Sequence, residues 1–88
     1  DSTAQHICIL IRALAAHRNL SPSTVSRLVT GSGDTLRRLE LRKPNGHPAH
    51  RISTERAARA LDALSYNWPS DLEWPRDIPR PAAKRRIV

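Results

Sequence analysis

Arg27, Arg37, Arg38, Arg42, Lys43 and Arg51 crowd one stretch of the chain, and only Asp34 and Glu40 oppose them there. A cationic surface of this kind attracts polyanions from a distance and releases their condensed counterions on contact. Nucleic acid is the first partner this implies, and an anionic membrane surface the second. His47 and His50, with His6 and Cys8 near the start, are metal-ligand types. No Cys pair and no closed four-ligand spacing joins them, so neither a metal nor another cofactor is expected. Gly31-Ser32-Gly33 resembles a phosphate loop or a nucleophile elbow only on the surface, because no carboxylate pair and no base accompany it. Ser32 reads as a helix cap, and the chain does not read as an enzyme.

The whole sequence carries the same bias, with 15 Lys and Arg against 8 Asp and Glu and a net charge of +7. Its 88 residues suffice for one modest core. Aromatic residues make up 3% and Phe and Met are missing, so Leu, Ile, Val and Ala must supply nearly all the buried area. No apolar run approaches the roughly 20 residues needed to span a bilayer, and no signal-peptide pattern opens the chain. A lone cysteine in the apolar setting His6-Ile7-Cys8-Ile9-Leu10 reads as part of a packed helix face. A cytoplasmic, nucleoid-associated location is the expectation.

These residues must be positioned by helices. Ile7, Leu10, Ile11 and Leu14 recur at helical spacing within Thr3 to Arg18, which predicts a first helix with Arg12 and Arg18 toward water. Ser21-Pro22 supplies a side-chain cap and a first-turn ring for a short second helix from Pro22 to about Val29, with Val25, Leu28 and Val29 inward. Gly31-Ser32-Gly33 breaks that pattern, and the oxygens of Ser32 and Asp34 can cap a third helix over about Gly33 to Arg42, buried through Leu36 and Leu39. Lys43-Pro44-Asn45-Gly46-His47-Pro48 reads as an exposed loop. Ser53 and Glu55 open a fourth helix with Ala57, Ala60, Leu61 and Leu64 as its stripe, ending near Tyr66. No internal repeat is apparent.

A short helix, a tight turn and a second short helix between longer amphipathic helices is a helix-turn-helix arrangement. With Leu36 and Leu39 buried, Val25 and Val29 fall on the supporting helix and small Ser26 sits where the two helices cross. Over about Pro22 to Leu41 the sequence resembles the phage-repressor and Xre-like helix-turn-helix family, with flanking helices extending the likeness over roughly Thr3 to Tyr66. It departs from the family pattern in placing Thr30 at the turn position usually held by Gly, with Gly31 displaced by one. The resemblance implies an all-α, four- or five-helix repressor-like domain that binds double-stranded DNA in a bacterial or phage transcriptional regulator. It also implies that Ser32, Gly33, Asp34, Thr35, Arg37 and Arg38 meet base edges, with Arg42 and Lys43 beside them. Arg37 and Arg38 fit best, since a guanidinium can donate two parallel bonds to guanine O6 and N7; for either one, a solvated surface position or a phosphate contact stands equally open. Asp34 reads as a cap before a reader. Ser21 and Ser23 at a helix start, with Arg27 and Arg51, are the expected phosphate contacts, capping being the simpler role for the two serines.

Three segments follow: 1–66 as the helix-turn-helix domain, 67–81 as a Trp- and Pro-rich strip, and 82–88 as a flexible basic end. In the strip Trp68, Leu72, Trp74 and Ile78 either enlarge a meagre core or anchor a partner such as a second copy or the transcription machinery. The second functional reading is a protein-interaction module that uses the basic face and this strip. RNA binding stands third, disfavoured by the scarcity of stacking aromatics.

Overall fold

A computed structural model describes residues 2–47 and 49–81, so the basic end expected at 82–88 lies outside the described residues. The described chain is all-helical, with α1 over Ser2–Arg18, α2 over Pro22–Thr30, α3 over Asp34–Glu40 and α4 over Thr54–Tyr66. No helix among the described residues is long and apolar enough to cross a membrane. α1 packs against the other three helices, and α2 lies against both α3 and α4. That central place follows from the width of the apolar stripe on α1: Ala4, Ile7, Cys8, Leu10, Ile11, Leu14 and Ala15 are all buried. Asn19 then stops the helix in the left-handed region, φ 56°, a conformation that Asn tolerates better than most residues.

α2 and α4 each carry their own start signal. The Ser21 hydroxyl accepts from the Thr24 N–H and Pro22 fills the first turn of α2, while the Ser53 hydroxyl accepts from the Arg56 N–H at the start of α4. α2 runs one residue past the expected Val29. Its inward residues are Val25, Ser26 and Val29, whereas Leu28, expected inside, is 65% exposed. At about 100° per residue the three buried positions share one narrow stripe, and Leu28 falls well to its side. α3 is shorter than expected at both ends, which leaves Arg42 and Lys43 in the following loop. Beyond α3, the Lys43 N–H donates to the His47 carbonyl at 2.8 Å and the Ala49 N–H to the Leu41 carbonyl at 3.1 Å.

The Trp-rich strip belongs to the core. Trp68 and Ile78 are buried, and Leu72 and Trp74 pack half-buried against the same cluster. Contrary to the sequence reading, the strip is a tandem repeat, Trp68-Pro69-Ser70-Asp71-Leu72 followed by Trp74-Pro75-Arg76-Asp77-Ile78. Both copies fold alike. The Leu72 N–H donates to the Pro69 carbonyl and the Ile78 N–H to the Pro75 carbonyl, each at 3.2 Å. Each indole N–H in turn donates to the carbonyl four residues on, Trp68 to Leu72 and Trp74 to Ile78, both at 2.8 Å. The two indoles meet edge to face with centroids 4.9 Å apart, which suits their quadrupoles. Arg80 lies over the Trp74 ring, and its guanidinium donates to the Ser65 hydroxyl and carbonyl, closing the strip against α4.

Burial separates two large apolar residues that the sequence alone treats as equals. Trp68→Ala should lower unfolding stability by about 3–5 kcal/mol through the cavity and the lost indole contacts, while Leu28→Ala should change it by less than about 0.5 kcal/mol. Urea denaturation of the two variants beside the parent measures both, and equal losses would contradict the packing described.

Candidate nucleic-acid interface

The junction of α2 with α3 is built around Ser26, whose side chain is wholly buried. Its hydroxyl donates to the Ser32 carbonyl at 2.8 Å and accepts from the Leu36 N–H at 3.2 Å. The Leu36 N–H is one of the first-turn donors of α3 that have no partner within their own helix. Gly33, the N-cap residue, has no side chain to satisfy it, so the preceding helix supplies the cap across the turn. Thr30 reinforces the corner: its hydroxyl lies 2.6 Å from the Ser26 carbonyl and 3.0 Å from the Ser32 carbonyl, and accepts from the Ser32 N–H. Gly31 turns the chain at φ 82°, with its N–H on the Arg27 carbonyl, 2.9 Å. Thr30 therefore ends the helix, and the left-handed turn itself falls on the glycine after it, where no Cβ resists it.

With the corner held this way, Leu36 and Leu39 point inward and Asp34, Arg37 and Arg38 face solvent. Ser32 is the local cap, its hydroxyl accepting from the Asp34 N–H at 3.2 Å. Asp34, expected as a cap, makes no side-chain hydrogen bond among the described residues; it sits exposed in the first turn, where a carboxylate suits the positive helix end. Shallow depressions lie on both sides of α3. Pro22, Ser23, Arg37 and Glu40 line one, at the start of α2. Ser32, Thr35, Arg38, His50, Arg51 and Arg56 line the other, toward the start of α4. Gly33 passes close to the Ser23 carbonyl, so α3 begins against the first turn of α2.

The structure thus brings together Ser23, Ser32, Gly33, Asp34, Thr35, Arg37, Arg38 and Arg51 around α3. Ser21 is occupied as a cap and as a partner of the Thr24 hydroxyl, 2.7 Å, and Arg27 is exposed on the last turn of α2. Arg42 and Lys43 are exposed just past α3. Sequence reasoning missed His50, Arg56 and Arg59. The signal for the two arginines was their spacing, one turn apart just after the Ser53 cap.

The acidic residues of the surface are not equivalent. Arg12 reaches from α1 to hold the Glu40 carboxylate with two bonds, at 2.7 and 2.5 Å, which spends one of the two carboxylates on α3. The bond from Arg12 holds the Glu40 carboxyl below the usual carboxylate range, against a small opposing effect of burial and with the added attraction of the Arg12 charge. Arg37, Arg38, Arg42, Lys43 and Arg51 have no carboxylate in ion-pair reach among the described residues. Burial pushes the Cys8 thiol up to about 11, with the Glu40 charge adding to it, so it stays protonated near neutral pH. No three His, Cys, Asp or Glu side chains among the described residues come close enough to share a metal ion.

No protein family, no curated protein and no solved structure matches this chain.

Removing the Ser26 hydroxyl should be costly for so small a change. Ser26→Ala leaves the Leu36 N–H without a partner in a buried corner, while the Ser32 carbonyl keeps only the Thr30 hydroxyl and a long bond from the Thr35 N–H. The change should lower stability by about 1–3 kcal/mol in urea melts. A loss below about 0.5 kcal/mol would show that the corner holds without it. The Arg12 and Glu40 pair makes a pH prediction. Because Glu40 has a lowered value in the folded state, its stabilisation is complete above the ordinary carboxylate range and is lost as pH falls through that lowered value. Glu40→Gln should therefore be less stable than the parent at neutral pH, and the gap should close on acidification; a gap that persists in acid would contradict the pairing.

Proposed function

We propose that this chain binds double-stranded DNA sequence-specifically, with α3 entering the major groove, as the DNA-reading part of a bacterial or phage transcriptional regulator in the cytoplasm. The observation that carries the reading is the outer face of α3. Arg37 and Arg38 stand there one toward each flanking depression, exposed and free of ion pairs among the described residues, on a helix whose orientation is locked by Ser26. A recognition helix needs both properties: donors that reach base edges, and a rigid attachment that fixes their register. The depressions flanking α3 offer hydroxyls and cations where the sugar-phosphate strands bordering a groove would run. Arg12 supports the reading by screening Glu40, the carboxylate that would otherwise oppose a phosphate near Arg37.

A protein-interaction module is less well supported, because the Trp-Pro strip turns Trp68 and Ile78 into the core and half buries Trp74. Anchors spent on a domain's own core are not available to a partner. RNA reading by stacking is weakened in the same way, since the exposed aromatic ring among the described residues is Tyr66. A second copy of the chain or the transcription machinery remains the natural additional partner for a regulator of this kind.

Two measurements test the proposal. Binding to duplex DNA should fall linearly with log salt, with a slope of about −0.9 for each phosphate neutralised; a flat response would contradict it. Arg38→Ala should cost about 1–3 kcal/mol on a preferred site selected from random duplexes and much less on random duplex. Arg51→Ala should weaken both duplexes alike. Equal losses from Arg38→Ala on both duplexes, with helicity intact by circular dichroism, would remove Arg38 as a base reader.

A further inference from the structure

We propose that a continuous cationic trough, running from the 43–52 loop past one side of α3 and onto α4, seats several consecutive phosphodiesters of one DNA strand. This rests on the duplex-binding reading of α3 and extends it to residues on α4. Three adjoining depressions make up the trough. The first, about 650 Å³, is lined by Lys43, Asn45, His47, His50 and Arg51. The second shares His50 and Arg51 with it and adds Ser32, Thr35, Arg38 and Arg56. The third shares Thr35 and Arg56 with the second and reaches Arg59 one turn along α4.

The chemistry of the walls selects the ligand. Among the described residues no carboxylate lines any of the three depressions, and Lys43, Arg51 and Arg56 have no ion pair, with Arg38 at the edge left to base contacts. Arg59 shares its charge with Glu55 at 2.9 Å, but both are largely exposed and such an i,i+4 pair is weak. Cations spread along adjoining depressions fit a linear polyanion better than a single small ion. Arginine forks match phosphate oxygens, and the Ser32 and Thr35 hydroxyls at mid-trough can donate to them. An acidic protein partner would need apolar anchor pockets, whereas the apolar lining is Ile52 in all three depressions with one of Ala4, Leu39 and Val29 beside it in each, and Ala4, Leu39 and Val29 are themselves core residues. A single-stranded nucleic acid would need stacking platforms, and no aromatic side chain lines the trough among the described residues. A strand of duplex DNA needs neither. The trough also gives a role to the exposed arginines in the first turns of α4.

The experiment compares the full chain with Arg56→Gln and with Arg51→Gln/Arg56→Gln, using a preferred duplex, a random duplex, linear inorganic polyphosphate and polyglutamate across a salt series. All altered side chains are exposed, and circular dichroism checks the fold. The slope of log affinity against log salt should fall by about one for Arg56→Gln and about two for the double variant, equally on both duplexes. Polyphosphate binding should weaken in the same order, and Arg56→Lys should restore most of both. Wild-type slopes and polyphosphate affinity in the double variant would overturn the trough. Polyglutamate bound as tightly as polyphosphate would overturn its assignment to phosphate. Polyphosphate binding that the double variant loses, with no duplex binding by any protein, would leave a polyphosphate trough but overturn its assignment to a DNA strand together with the reading of α3.

Discussion

A buried serine hydroxyl in the middle of α2 governs where α3 points. Ser26 lies on the stripe that would ordinarily be apolar, and burying a hydroxyl there is tolerable only because both its donor and its acceptor are matched. Its acceptor takes the first-turn N–H of Leu36 and its donor takes the carbonyl before the N-cap, so α3 is pinned at its start in two directions. Its small volume also lets the helices approach closely at the crossing. A larger apolar residue would fill the same space but leave the start of α3 uncapped, and the outward face bearing Arg37 and Arg38 would lose its fixed aim.

The rest of the molecule is arranged so that this corner can be thin. With no Phe and two Trp, the helices alone offer little apolar area, and the tandem Trp-Pro strip adds Trp68, Leu72, Trp74 and Ile78 to the core. Proline at the second position of each unit stiffens it, and the indole N–H closing on the fourth residue onward lets a ring be buried without losing a hydrogen bond. His17 on α1 also meets Asp71 of the strip, at 3.1 Å. Stability is thereby drawn in part from the chain after α4, while Arg37 and Arg38 of α3 and Lys43, His47, His50 and Arg51 after it stay exposed. That division leaves cations where a polyanion can reach them.

The positions of α2 and α4 were readable because each has a cap of the right type before a run of helical period, that of α1 because Ile7, Leu10, Ile11 and Leu14 recur at helical spacing, and Leu36 and Leu39 fixed the register of α3 by their spacing. Leu28 was misread because residue type argues for burial while the geometry of α2 gives the interior to Ser26. The two-copy repeat escaped notice because its period is only six residues and its invariant positions, Trp, Pro and Asp, look like ordinary turn chemistry. Ser32 was legible as a cap; that Asp34 is not one depends on main-chain geometry at Gly33. His50, Arg56 and Arg59 join the site through a fold that brings the start of α4 beside α3, and nothing local in the sequence encodes that approach.

We propose α3, held by Ser26, as the surface that meets duplex DNA. The most direct test is to follow the backbone amide signals of the full chain by NMR while duplex DNA is added at low and at moderate salt. The account predicts that the largest shifts fall on Ser32 through Arg38 and on the His50 to Arg56 stretch, shrinking together as salt rises, while the amides of the Trp-Pro strip stay still. Shifts concentrated on the strip or on the exposed side of α1, with α3 silent, would contradict it.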